Sequence, residues 1–446
     1  MYAAPTKPSF DNKDSLFEFS RLSTQGMVAT SLRQKRRVST GDLTAMLERL
    51  KTIGPGAMVA AAFIGPGTVT TATIAGSGFG YTLLWAVLFS IGATLVLQEM
   101  TARLAISGGR GLGEALREKT RDTAWWLPTT TLVIAAIFIG NAAYEAGNLS
   151  GATLGAILLI GAEFKVWILL LLAAIAYFLL SRGTPQLLER ALITMVAVMG
   201  LVFVTTAVIT KPPLLEIVKG LITPTLPENS LLMVAGLIGT TVVPYNLFLH
   251  ASILKAKSGV QVDLPSARFD IIFSVAIGGL ITMSIVVSAA AVFNSGDEPI
   301  KSANELSAQL KPLLGDWSGA FMAIGLLAAG LSSSITAPLA AAFAVSELFA
   351  WQRDDYRFRL VWIAVLACGV LFASLGIRPT ELILLAQVAN ALLLPVIAVF
   401  IMWVMNDRDL LHSATNNAVS NILGCAVIVV TIMLSLRGLG LAGGWL

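Results

Sequence analysis

In the stretch FIGPGTVTT (63–71), Gly65-Pro66-Gly67 stands inside an apolar run long enough to cross a bilayer, and the hydroxyls of Thr68, Thr70 and Thr71 follow it. A second interruption, GLIGTTVVPYNLFLHAS (236–252), sets Pro244 among Gly239, Thr240 and Thr241. Proline removes a helix hydrogen bond and clashes with the preceding turn. Backbone N–H and C=O groups in hydrocarbon must be satisfied within protein or in a water-filled cavity, so unwound backbone at this depth marks a place where a ligand can be held. The chemistry on offer is coordination by carbonyls, N–H groups and hydroxyls. Ionisable side chains inside apolar spans are costly and are functional candidates by default. Here they are Glu99, Glu145 and His250. Hydrolytic chemistry finds no support: there is no H-E-x-x-H helix, and the two histidines are His250 and His412. No enzymatic activity is predicted, and no cofactor is called for.

These residues need helices to hold them. Of the 446 residues, 56% are hydrophobic and 13% charged, and the mean hydropathy is +0.80, a composition that excludes a soluble domain. Apolar runs of about 20 residues predict eleven spans, at 54–77, 81–106, 126–157, 165–181, 191–210, 230–254, 271–294, 317–346, 360–377, 380–405 and 416–436. Lys and Arg test that map, because cytoplasmic loops carry an excess of them. The N-terminal segment and the alternate loops 103–121, 182–190, 255–268, 353–359 and Arg408 hold 23 of the 30. This bias predicts a cytoplasmic N-terminus and a C-terminus on the opposite side.

Residues 1–50 read as a flexible cytoplasmic tail without a signal peptide. Their basic cluster Arg33, Lys35, Arg36 and Arg37 reads as a topogenic segment at the lipid surface. A pI near 9.1 follows from the same bias, so nucleic-acid binding is not expected. Cys368 and Cys425 both fall in spans and are expected to be buried small apolar groups.

The interrupted spans are the first and the sixth of eleven. That placement is the sequence pointer to two inverted five-helix repeats, about 54–210 and 230–405, with a binding site near the midplane where the two breaks meet. The helix at about 416–436 lies outside the repeats. The fold class is an all-α polytopic membrane protein.

The run IGPGAMVAAAFIGPGTVTTATIAGSGFGYTLLWAVL (53–88) resembles the first two helices of Nramp (natural resistance-associated macrophage protein) divalent-metal transporters. The likeness continues through GRGLGEALRE (109–118), GTTVVPYNLFLHAS (239–252), GLLAAGLSSSITAPLAAAFA (325–344) and LLAQVANALLLPV (384–396). It covers nearly everything beyond residue 50. The resemblance implies a leucine-transporter-type fold and alternating access.

The resemblance also locates the site. Nramp metal transporters carry Asp-Pro-Gly-Asn in the first break and Met-Pro-His in the second, and the Asp, Asn and Met coordinate the metal. The matching residues are Gly65-Pro66-Gly67-Thr68 and Val243-Pro244-Tyr245. Carboxylate, amide, thioether and imidazole are all replaced. What is left is neutral: backbone carbonyls at 63–67 and near 241, the hydroxyls of Thr68, Thr240 and Tyr245, and the amides of Gln387 and Asn390. Gln387 matches a family position that reaches the metal.

Two cargoes stay open. A neutral oxygen cage could hold a hydrated ion weakly, whereas Mn²⁺ or Fe²⁺ needs harder or softer ligation than this set gives. Half-helix N-termini with no aspartate nearby suit a carboxylate or small oxyanion, so a small organic or anionic solute such as an amino acid is the alternative. A channel has no need for two paired broken helices. The family's proton route implies coupling residues at Asn141, Tyr144, His250, Arg357 and Arg359, with Glu145 one residue, or ~100° of helix, out of register. Expected partners are therefore the transported solute or ion, a proton in symport, and the lipid bilayer.

Overall fold

The two breaks decide how the chain is divided. The computed structural model describes residues 64–183, 185–257, 262–293, 300 and 302–442. The tail at 1–50, with its basic cluster, and residues 54–63 of the first expected span lie outside the described residues. Helix α1 (Pro66–Phe79) begins at the first break. Gly65 is extended (φ −89°, ψ 176°), and Pro66 takes the first helical position, where its missing N–H is one the helix could not use and its fixed φ is already helical.

Five helices follow: α2 (Leu84–Ser107), α3 (Leu112–Thr120), α4 (Trp126–Ile160), α5 (Lys165–Arg182) and α6 (Gln186–Ile209). A surface helix, α7 (Leu214–Ile222), leads to the second interrupted span, α8 (Leu231–Thr241) and α9 (Pro244–Lys257). At 11 and 14 residues, each half is about 16–21 Å long at 1.5 Å per residue, too short to cross alone. Pro244 ends α8 because it cannot donate to the helix ladder and biases the residue before it away from the helical region. Val242 has already left that region (φ −93°, ψ 84°).

The rest of the bundle is α10 (Leu264–Val292), α11 (Ser318–Phe349), α12 (Tyr356–Ser374), α13 (Pro379–Met405) and α14 (Ala418–Ala442). Ten helical segments among the described residues are long and apolar enough to span a bilayer. They coincide with the second to eleventh expected spans, and α1 with the C-terminal half of the first. Where loops were expected, α4 and α10 run on: α10 starts at Leu264 because Asp263 caps it by accepting from the Ser266 N–H at 3.0 Å.

Lipid sets which side chains face out. Trp167, Leu171 and Phe178 of α5 and Leu187, Leu201 and Val208 of α6 are exposed, as helices surrounded by acyl chains permit. Cys425 joins them on the exposed face of α14 and Cys368 is half-buried, which corrects the expectation that both are buried. Hydrophobicity alone cannot separate a lipid-facing thiol from a core one.

The loops that hold the Lys and Arg excess meet at one end of the bundle. Glu99, at the end of α2, bonds Arg103 at 3.1 Å and Arg268 of α10 at 2.6 Å, so it is a helix-linking ion pair and not a central carrier. The Gly113 N–H donates to Glu347 of α11 at 3.1 Å, Ser252 of α9 donates to the same carboxylate, and Arg117 donates to the Glu347 carbonyl at 2.8 Å. Lys255 pairs with Glu114 beside them. Partial burial raises the Asp407 carboxyl, but Lys119 and the N–H groups of Leu410 and Asp409 outweigh it and hold the group below the usual carboxylate range.

Candidate functional site

The two breaks meet. Thr68 Oγ1, in the first turn of α1, lies 2.9 Å from Thr240 Oγ1 at the end of α8, so residues 172 apart in sequence share one hydrogen bond. Both are fully buried. Neither α1 nor α9 carries an acidic residue in its first turn, and the positive dipole ends at both starts are uncompensated by a side-chain charge.

Helix α13 closes the site by laying Gln387 against both breaks. A Cβ on Gly67 would sit 2.2 Å from Gln387 Nε2, and one on Gly239 would sit 1.9 Å from the Gln387 carbonyl oxygen. The approach to backbone requires glycine at 239, whereas the approach at Gly67 is to the end of a flexible side chain. The difference is testable at Gly67. A Gly67→Ala variant is expected to push the Gln387 amide aside without unfolding the protein, losing one hydrogen bond to cargo at about 0.5–1.5 kcal/mol. The check is a KM raised about two- to tenfold in proteoliposome uptake, with the unfolding midpoint nearly unchanged.

Around this junction lies a shell of buried polar atoms without partners among the described residues. Gln387 Oε1, Asn390 Nδ2 and the Tyr144 and Tyr245 hydroxyls are among them. The two tyrosines meet edge to face at 5.4 Å between ring centroids. Val243 packs with Tyr144, Tyr245, Ala337 and Ala340, so the second break presents an apolar side chain where soft metal ligation would need sulfur. Buried polar groups are almost always paired in native proteins, so this concentration of unpaired donors and acceptors makes the junction the candidate ligand site. The chemistry is neutral, with hydroxyl and amide donors and acceptors and one aromatic pair.

Three further buried polar residues escaped the sequence. Asn246, 2% exposed, has both amide atoms unpartnered among the described residues, Ser333 of α11 has a buried hydroxyl in the same state, and the adjacent buried Ser334 acts on the Glu145 carboxylate. Ser333 Oγ points at the first break, 3.4 Å from where a Cβ on Gly65 would stand. A signal existed for Asn246, two residues past Pro244 in the broken span. None existed for the serines, because small residues in membrane helices serve packing equally well.

The coupling candidates scatter. Asn141 donates to the Ile137 carbonyl at 2.7 Å, leaving its oxygen unpaired. Tyr144 faces Thr240 and belongs to the central shell. His250 is buried on α9 with Nδ1 unpartnered. Glu145 is fully buried, with Asn148 Nδ2 donating to it at 3.4 Å, so its offset turns it toward α11 and α12 and not out of the bundle. Arg357 and Arg359 are exposed at the start of α12, where the Arg357 guanidinium lies over the Trp351 ring at 5.5 Å; the structure does not bring them to the junction. Among the described residues no group of three His, Cys, Asp or Glu side chains is placed to hold a metal ion.

Comparison with known proteins agrees with this architecture. The Nramp family, natural resistance-associated macrophage protein-like, matches residues 56–440. A divalent metal cation transporter MntH of Verminephrobacter eiseniae is 26% identical over 400 residues, spanning 87% of this chain and 89% of its own length. Among solved structures, a manganese transporter of Eremococcus coleocola superposes with a TM-score of 0.70 at 21% identity, over 90% of this chain and 88% of that one. MhsT, solved in complex with L-phenylalanine, superposes with a TM-score of 0.57 at 16% identity, over 86% of this chain and 97% of its own. The leucine-transporter-type fold, with two inverted five-helix repeats and α14 added, is therefore the fold of this protein. On the match over 56–440, the chain belongs to the Nramp family.

Proposed function

We propose that this chain is a secondary-active, alternating-access transporter of a small solute, and that its central site does not hold Mn²⁺ or Fe²⁺ tightly. The observation that carries the reading is the Thr68–Thr240 bridge between the two breaks, beside amides and hydroxyls of Gln387, Asn390, Tyr245 and Ser333 that have unpaired atoms among the described residues. This is a site assembled from both repeats, as rocking of one repeat against the other requires. Relatives named as divalent metal transporters favour a metal cargo. Against it, Gly65, Thr68 and Val243 supply neither the carboxylate nor the sulfur that a transition metal needs when it gives up water.

A small organic or anionic solute, such as an amino acid, suits the site better. Two uncompensated half-helix N-termini face a carboxylate or oxyanion, and neutral amides and hydroxyls read the rest of the molecule. The N-terminus lies in the cytoplasm and the C-terminus on the opposite side, in keeping with the Lys and Arg bias. Coupling to an ion gradient runs through Glu145, a fully buried carboxylate on α4. No chemical step on the cargo is involved.

The test is a stability-shift screen of metals, amino acids and oxyanions on the purified protein, because a ligand that binds the native state raises its unfolding midpoint by mass action. Amino acids or oxyanions are expected to raise it, and calorimetry at micromolar Mn²⁺ is expected to register no binding heat. Micromolar Mn²⁺ affinity would sink the organic-solute reading.

A further inference from the structure

The surface helix α7 has three different flanks. At about 100° per residue, Leu214, Leu215, Val218 and Ile222 fall within one arc of about 100°, and all four are exposed. Lys219 and Glu216 occupy the next arc and are also exposed. The remaining arc turns inward: Gly220 is buried, and Ile217 and Leu221 pack against the core. A helix along the bilayer normal meets water only at its end. An apolar flank, a charged flank and a protein-facing flank along the whole of one short helix place its axis in the plane of the interface.

The neighbours say at which surface, and against what. Helix α6 starts beside the basic loop 182–190 and ends at Ile209, at the opposite end of the bundle, and α7 begins just past it after Pro212-Pro213. The exposed Leu201 and Val208 of α6 lead into the α7 stripe, so the lipid-facing surface of the bundle continues onto it. On the inward side, a Cβ on Gly220 would stand 2.0 Å from the Tyr81 carbonyl oxygen in the turn between α1 and α2. The Trp85 indole donates to the Thr225 carbonyl at 3.0 Å just beyond the helix. Beside these contacts opens a cavity of about 390 Å³ whose lining includes Tyr81, Thr82, Glu216, Lys219 and Thr223. It has one ammonium and one carboxylate, and no described residue pairs with either. One group of each sign among hydroxyls complements a zwitterion. Next to an apolar stripe at a bilayer surface, that zwitterion is a phospholipid headgroup that carries a phosphate and a primary ammonium.

We propose that α7 is an in-plane phospholipid-binding helix. Its Leu214, Leu215, Val218 and Ile222 flank lies among acyl chains, and the cavity takes a phosphoethanolamine headgroup, with Lys219 on the phosphate and Glu216 on the ammonium. The bound lipid ties α7 to the headgroup layer, and the close approach of Gly220 to Tyr81 carries that restraint to the far end of α1. Because α1 begins at the first break, the lipid braces the helix that walls the central junction. Binding itself does not depend on which cargo the protein carries.

Two measurements on the full-length protein test the two parts of the site. In a Cys368→Ser, Cys425→Ser background, nitroxide labels are placed through Leu214→Cys, Leu215→Cys, Glu216→Cys, Val218→Cys, Lys219→Cys and Ile222→Cys in phospholipid vesicles. Labels on the apolar flank are expected to collide with oxygen, which concentrates among acyl chains, and those at 216 and 219 with a water-soluble nickel chelate. Uniform access to nickel overturns the proposal, and so does dipolar broadening that shows a second copy of the chain covering the stripe. The second measurement is thermal unfolding in detergent with added short-chain phosphatidylethanolamine, phosphatidylcholine or phosphatidylglycerol. Phosphatidylethanolamine is expected to raise the midpoint saturably and above the other two, because a choline ammonium has no N–H to donate and a glycerol headgroup brings no cation to Glu216. Lys219→Ala and Glu216→Gln, both on an exposed flank, are each expected to weaken its apparent affinity about tenfold. Equal shifts from the three lipids, a shift that survives both substitutions, or the same shift from free phosphoethanolamine overturn the proposal.

Discussion

Gly239→Ala is expected to abolish uptake and to lower stability by about 3 kcal/mol or more, the upper end of what overpacking costs. The added Cβ would stand 1.9 Å from the Gln387 carbonyl oxygen and 2.9 Å from the Ala391 N. Both atoms belong to the backbone of α13, so no rotamer change relieves the contact, and α8 must separate from α13. Separation undoes the Thr68–Thr240 bridge, because Thr240 is the next residue along α8. Gly92→Ala in α2 is the control: a Cβ there meets nothing within 4 Å, and alanine in a helix is favoured over glycine by about 1 kcal/mol. Detergent-solubilised protein should therefore unfold well below the parent for Gly239→Ala and at or above it for Gly92→Ala. A Gly239→Ala protein with parental stability and uptake would mean that α8 and α13 do not pack as closely as the structure has them.

The contrast between Gly67 and Gly239 shows what part of the site was legible beforehand. Both glycines stand out in the sequence because glycine and proline punctuate helices, and punctuation inside an apolar run is a local signal. The ordering of the two breaks, first and sixth, then gave the repeat architecture without any tertiary information. What each glycine accommodates is non-local: both accept Gln387, which is 148 positions beyond Gly239. Ser333 and Ser334 were invisible for the same reason, since a serine facing a carboxylate and a serine facing a neighbouring helix look alike in one dimension. Glu145 was visible as a charge in hydrocarbon, but its direction depended on helix register. Arg357 and Arg359 show the opposite limit: resemblance assigns them to a proton route, and the structure sets them exposed at the start of α12, away from the junction.

Restoring the metal ligands tests whether cargo choice resides in side chains or in the shape of the cavity. The triple variant Gly65→Asp, Thr68→Asn, Val243→Met is expected to convert a protein with no micromolar Mn²⁺ binding into one that binds it measurably. Steric room favours this outcome. Gly65 has φ −89°, which any residue adopts, and its nearest neighbour to a new Cβ is Ser333 Oγ at 3.4 Å, an ordinary contact that a carboxylate could turn into a hydrogen bond. Thr68→Asn loses the 2.9 Å bridge to Thr240 but keeps a polar group that can reach the same hydroxyl. Val243→Met enlarges a side chain packed against Tyr144, Ala337 and Ala340, where the flexible thioether adapts to irregular space. Carboxylate, amide and sulfur then converge on the junction, and a gain of about a thousandfold in Mn²⁺ affinity corresponds to about 4 kcal/mol, a modest demand on three new ligands. Calorimetry of the triple variant beside Gly65→Asp alone separates the contributions, since the carboxylate supplies charge and the thioether supplies selectivity for softer ions over Mg²⁺ and Ca²⁺. If the triple variant folds and still gives no Mn²⁺ heat, the side chains do not decide the cargo, and the spacing of the two breaks, set by Gln387 against Gly67 and Gly239, must do so.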